Sequence, residues 1–349
     1  MEQDLYFAIT ALVTALASIV GAFAQDREPA GFLRSSATVT ERQIASVESG
    51  QPLVLGLAST EKREIAVIGA VRIDVPSEFF ISQYRQIEDF KRSPEVLQIG
   101  KFAGVPDAAD LQTLTFDPGE LRALRKCRSG DCPVKLSKGM LDEFRSGTGP
   151  SASLEDSAAS MRRTLANYAK DYLRRGDEAL VVYNDHGPQV SLSREFQELL
   201  EEFSALALYA PEFVDYLKRF PAANLTGVEN FVYWSKEKAG FKSVVSLTHV
   251  AIYRKDIQER AWFFIASKQI YANHYFEGSL GLTVLSAGTA GNDCWMVYMN
   301  RSRTDVLRGW LSSLKKSIIR GRVQGTMKKQ MEETKKKLEK IYRAMTSKS

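Results

Sequence analysis

The run AWFFIASKQIYANHYFEGSLGLTVLSAG, residues 261–288, decides how the rest of the chain is read. It is dense in β-branched and aromatic residues and free of proline, the composition of strand rather than helix. Read as extended backbone, one face carries Phe264, Ala266, Ile270, Ala272, Phe276 and Leu280, because alternate residues of a strand point the same way. Lys268 and His274 fall on that same apolar face. A turn near Asn273 is the alternative; it resets the alternation and leaves both side chains exposed. A lysine buried among aromatics requires a partner or water. In the preceding stretch, FKSVVSLTHVAIYRKD at 241–256, Leu247, His249, Ala251 and Tyr253 share a face. Pairing of the two strands would carry His249 toward Lys268 or His274.

Further strands flank this pair. ENFVYWSKEKAG precedes it and DCWMVYMNRSRTD follows, with KDIQER and GTAGND as turns. The chain then closes on a helix over 323–345. Met327, Met331, Thr334, Leu338, Ile341 and Met345 recur by three and four, a single buried stripe with lysines outside it. Toward the N-terminus, REIAVIGAVRIDVP at 63–76 reads as a strand, SEFFISQYRQIEDFKRS as a helix capped by Ser77, and VLQIGKF as another strand. Residues 104–225 change character and are mostly helical, with LEDSAASMRRTLANYAKDYLRRG as the longest helix and a short strand in EALVVYND. Before all of this, residues 25–62 read as a polar linker followed by a short helix that Thr40 caps and Gly50 ends.

A strand closed by proline, a helix, several antiparallel strands and a long final helix resemble the START-like (SRPBCC, helix-grip) superfamily. The matching pieces are AVIGAVRIDVPSEFFISQYRQIEDF, FEGSLGLTVL, CWMVYMNRSRTD and MKKQMEETKKKLEKI. That resemblance implies an α+β fold in which a curved antiparallel sheet wraps the C-terminal helix around an apolar cavity. The domain would span 63–349, with a large helical insertion at about 104–225. The chain also resembles a set of exported bacterial proteins of uncharacterised activity, through LQIGKF, CRSGDCPVKLS, YWSKEKAGFK and ASKQIYANHYFEGSL.

The N-terminus bears on the compartment. Residues 5–24 carry no charge and end in Ala22-Phe23-Ala24, the small-residue pattern a signal peptidase accepts. The expectation is a signal peptide over 1–24 and a periplasmic or secreted product; the alternative is a retained membrane anchor, since 20 apolar residues can span a bilayer. Outside the cytoplasm, Cys127 and Cys132, five positions apart, are expected to form a disulfide around the Ser-Gly-Asp turn. Reduced thiols or half of a metal site are the alternatives.

At 44% hydrophobic and 26% charged residues, the 349-residue chain can bury a core and is not of disordered composition. The net charge of +5 is uneven: from Lys315 onward there are 12 Lys or Arg against three Glu. A basic outer helix face is a candidate for contact with anionic lipid headgroups, and no motif points to nucleic acid. The sequence has no GxSxG, GxxxxGK[ST], HExxH or GxGxxG, and no cofactor is implied. The expected function is an exported, non-enzymatic binding protein for a lipid-like ligand held between sheet and C-terminal helix. Its candidate ligand residues are His249, Lys268, Tyr271, His274, Trp234, Tyr253 and Arg301. A hydrolase or cyclase using His249, Lys268 and His274, or an envelope interaction protein without ligand, are the rivals. Asp185-His186 is a minor candidate pair.

Overall fold

A computed structural model describes residues 28–149, 151–184, 188–288, 291–309 and 312–347. The apolar N-terminal run and Asp185-His186 lie outside the described residues. Two helices come first, α1 (Pro29–Ser36) and α2 (Glu41–Glu48), then strands β1 (Leu53–Gly56) and β2 (Glu64–Ile73). Thr40 caps α2 through a reciprocal pair of bonds with Gln43, as its Thr-x-x-Gln spacing predicts. The stretch expected to be a linker is instead helix α1, because Phe32 and Leu33 are buried in the core and tie it down.

Helices α3 (Ser77–Tyr84) and α4 (Ile87–Phe90) follow, and then β3 (Val96–Lys101). The single helix expected here is broken at Arg85-Gln86, and Ser77 is its first helical residue rather than its cap. Next comes the helical block: α5 (Pro118–Leu124), α6 (Lys138–Ser146), α7 (Leu154–Arg175), a pair of two-residue antiparallel strands β4 (Val182–Tyr183) and β5 (Val190–Ser191), then α8 (Leu192–Glu201), α9 (Ser204–Tyr209) and α10 (Pro211–Arg219). Five long strands complete the sheet, β6 (Val228–Ala239), β7 (Lys242–Ile257), β8 (Arg260–Ala272), β9 (Phe276–Ala287) and β10 (Cys294–Thr304), before the final helix α11 (Ser312–Thr346).

The sheet is antiparallel throughout, with strand order β1-β2-β10-β9-β8-β7-β6-β3. Helices cover both faces, which explains why β2 and β9 are buried along almost their whole length. One face packs against α1, α2 and the helical block, through residues such as Trp234, Leu247, Phe264, Leu282 and Val297. The other packs against α3, α4 and α11 through Val67, Val71, Phe263, Ile265 and Met296. Helix α11 runs along β1 and β2. Gly69 makes that approach feasible, since a Cβ there would stand 2.4 Å from the Met331 sulfur. Met327, Met331 and Leu338 are buried as their spacing predicts, but Met345 is 57% exposed because the helix outruns the sheet.

Two local irregularities redirect the chain near the end of β8. A bulge opposite Leu247 and Thr248 makes Ile270 the extra residue of β8. Asn273, His274 and Tyr275 then form the turn into β9, with Tyr275 at φ 60°. His274 therefore lies in the turn and not in the strand that carries Lys268.

Candidate functional site

His249 and Lys268 are direct cross-strand partners on β7 and β8. They point into the helical block, on the face opposite α11. The Lys268 ammonium pairs with Asp177 and lies 4.7 Å from the ring centre of Phe196 and 5.7 Å from that of Tyr172. Burial pulls the Lys268 pKa below its ordinary value, against the opposing pull of Asp177. His249 is closed in by rings, its own lying 4.4 Å from Phe220. Its hydrogen bonds fix the tautomer. Asn230 donates its amide to Tyr216 Oη at 2.7 Å, so its oxygen accepts from His249 Nε2 at 2.9 Å. Nδ1 is left as acceptor for the Tyr172 hydroxyl at 2.9 Å. Burial first, and the nearby Lys268 cation second, lower the His249 pKa to about 3. The imidazole is thus a neutral, doubly bonded core group, and Tyr172, Asp177 and Asn230 occupy the positions a ligand would need.

The other expected ligand residues do not join this pair. His274 sits at the far end of β8, its Nε2 3.0 Å from Glu120, which also meets Lys242 at 2.9 Å. Arg301 binds Glu64 at 2.5 Å and Glu202 at 3.2 Å. Arg303 shares Glu64 and adds Glu195 at 2.8 Å, fastening α8 to the sheet. Trp234 donates to the Asp110 carbonyl at 2.8 Å, Tyr271 to that of Lys135 at 2.9 Å, and Tyr253 to Glu212 at 3.0 Å. All three tie loops or helices of the block to strands. Among the described residues, no three His, Cys, Asp or Glu gather as a metal site. Cys127 and Cys132 are disulfide-bonded, and Cys294 is free and buried.

A different cluster lies on the α11 side. Tyr84 at the end of α3 meets Ser267 Oγ on β8 at 3.1 Å. Lys91, just past α4, stands 3.2 Å from the Tyr233 hydroxyl and 3.1 Å from Glu237 on β6. Tyr298 on β10 is close enough for Lys91 and Tyr233 to act on its hydroxyl. Burial raises the pKa of both Tyr84 and Tyr298. Lys91 is held well above its usual range despite burial, because Tyr233 and Glu237 stabilise its charge.

The floor of this cluster is only partly covered. Ser267, Gln269, Tyr298, Asn300 and Ser302 belong to interior strands yet retain partial exposure, and the Lys91 side chain keeps 30% of its surface though set deep among other groups. An interior strand reaches solvent only through a gap in its cover. Here α3 lies on β8 and β9 while α11 lies on β1 and β2. Where α11 meets α3 and α4 there is a cleft of about 370 Å³ lined by Gln83, Gln86, Phe90, Lys337, Leu338 and Ile341. The Phe90 ring is 4.9 Å from that of Tyr84, whose hydroxyl reaches the floor at Ser267. A larger cleft of about 620 Å³ in the helical block is lined by Glu143, Asn167, Asp171 and Ala179 among others, close in the chain to Tyr172 and Asp177 but including neither.

The observed architecture defines an α+β protein with one large antiparallel sheet between two helical layers. No family model, no curated protein and no solved structure matches the chain.

Proposed function

We propose that this is an exported, non-enzymatic binding protein of START-like (helix-grip) type that takes an amphiphilic ligand on the α11 side of its sheet. The carrying observation is the partial exposure of Ser267, Gln269, Tyr298 and Asn300 beneath a gap between two helical covers. A recess with convergent polar groups beside apolar surface is how small-molecule sites orient their ligands; here Phe90, Leu338 and Ile341 are the apolar surface, among Gln83, Gln86, Asp89, Arg92 and Lys337. The polar head would rest on these hydroxyls and amides beside Tyr84 and Lys91. Because Lys91 already pairs with Glu237, the floor suits an uncharged or zwitterionic head. The apolar part would lie along Phe90, Leu338 and Ile341. The START-like reading is supported by the sheet order, in which β2 neighbours the last strand, β10, and β3 takes the opposite edge. The disulfide and the absence, among described residues, of a helix able to cross a membrane are compatible with export.

The test is displacement of a fluorescent fatty-acyl probe from the full chain, with native mass spectrometry of protein taken from its own host. Ile341→Trp should fill the cleft and weaken probe binding by about tenfold, or about 1.4 kcal/mol, with the circular dichroism spectrum unchanged. A wild-type chain that carries no apolar ligand and binds no probe sinks the proposal and favours an interaction protein.

A further inference from the structure

Helix α11 presents a second surface, opposite the stripe that holds it to the sheet. At 35 residues it is about 52 Å long, and its first half carries two apolar side chains on the outside. Leu314 is 62% and Ile318 51% exposed. These two lie four residues apart, and Gly321 and Gly325 continue the same strip with nothing within 4 Å of either glycine's missing side chain. Lys315, Arg322, Lys328, Lys329, Lys336 and Lys340 are exposed around and beyond the strip. Over the first 314 residues 35 Lys and Arg face 39 Asp and Glu, whereas 12 face three over the rest. The charge of the molecule is therefore polarised, with its positive end on this helix.

We infer that the outer face of α11 docks on an anionic lipid bilayer, with Leu314 and Ile318 entering the interface and the surrounding Lys and Arg reaching lipid phosphates. Aliphatic side chains flanked by cations on one helix face are the arrangement that lies in a membrane surface, and an anionic leaflet adds attraction for each nearby cation. A second copy of the chain is a poorer occupant, since it would bring two strongly positive helices together. A nucleic acid would leave the two aliphatic side chains without a partner. The strip is separate from the recess, so this inference does not depend on the proposed ligand.

The experiment is flotation of the full chain with phosphatidylcholine vesicles, with and without phosphatidylglycerol. The bound fraction should rise by about tenfold on adding the anionic lipid and fall by a similar factor in Leu314→Ser/Ile318→Ser. Both side chains are exposed, so the melting temperature of that variant should match wild type. Equal binding to both vesicle types overturns the inference. So does binding to anionic vesicles that Leu314→Ser/Ile318→Ser leaves unchanged. A concentration-dependent dimer that the double variant abolishes, with no flotation, assigns the strip to a second copy instead.

Discussion

Lys268→Met separates a structural lysine from a ligand-binding one. The ammonium is 9% exposed and its partner Asp177 17%. Removing one member of a fully buried pair costs roughly 3–5 kcal/mol, because the other charge is left desolvated and unpaired. Asp177 keeps some solvent contact, which places the expected loss near the low end, about 3 kcal/mol. Methionine conserves the length and apolar stem, so lost packing adds little. The contacts with Phe196 and Tyr172 add a cation–π contribution of about 2 kcal/mol, the size for a desolvated pair. Urea unfolding followed by tryptophan fluorescence should show a lowered midpoint at unchanged slope, the sign of changed stability rather than changed compactness. Asp177→Asn in the same chain should recover more than half of the loss, since the two sites are coupled and not additive. A Lys268→Met protein as stable as wild type, with weaker binding of an anionic amphiphile, would refute this account and restore Lys268 as a head-group residue.

Acid should destabilise the fold through His249: its pKa is about 3 when folded against 6.5 for the free group, so the unfolded chain binds the extra proton between those values. Stability contributed by the neutral ring is complete above pH 6.5 and falls by up to about 1.4 kcal/mol per pH unit below it. His249→Gln should flatten the slope measured between pH 6.5 and 5.5, and an unaltered slope would remove the assignment. Alkylation followed by intact mass should label no cysteine in the native chain, one after unfolding without reductant, and three after reduction, because Cys294 is buried with its thiol pKa pushed up and the other two are bonded. Three labels without reductant would exclude the disulfide. Leu338→Asp buries a carboxylate at a site 1% exposed and should cost several kcal/mol, roughly 3–5; an unchanged melting temperature would make α11 peripheral.

The strands and the final helix were legible because their periods differ, two against roughly three and a half, and both run long. Which cover each strand face receives was not legible. Phe263 and Phe264, or Ile265 and Ala266, are apolar on both sides, and a sheet buried twice loses the alternation that would tell the sides apart. The turn near Asn273 was legible as an alternative, but the extra residue at Ile270 carries no sequence mark, and burial of both Lys268 and His274 depends on the helical block that covers them. Helix α1 went unread since eight residues containing Gly31 and two serines have little periodicity to show. The recess escaped notice for another reason. Ser267, Gln269 and Asn300 look like ordinary solvent-face residues of strands, and only the sheet order shows that they sit in its middle.

The two helical covers over that recess differ in how they are tethered. β2 and β3 stand six strand spacings apart, about 29 Å, and α3 with α4 bridges them from one to the other. That cover is anchored at both ends by strands hydrogen-bonded into the sheet. α11 is not part of the hydrogen-bonded sheet and lies on β1 and β2, and contacts such as Phe79 with Tyr342 at 5.0 Å and Glu339 with the Asp74 amide at 3.1 Å hold its later turns. The two walls of the cleft are therefore held differently, one through the backbone of its flanking strands and the other through side-chain packing, with Lys337 joined across the opening to the Asp89 carbonyl.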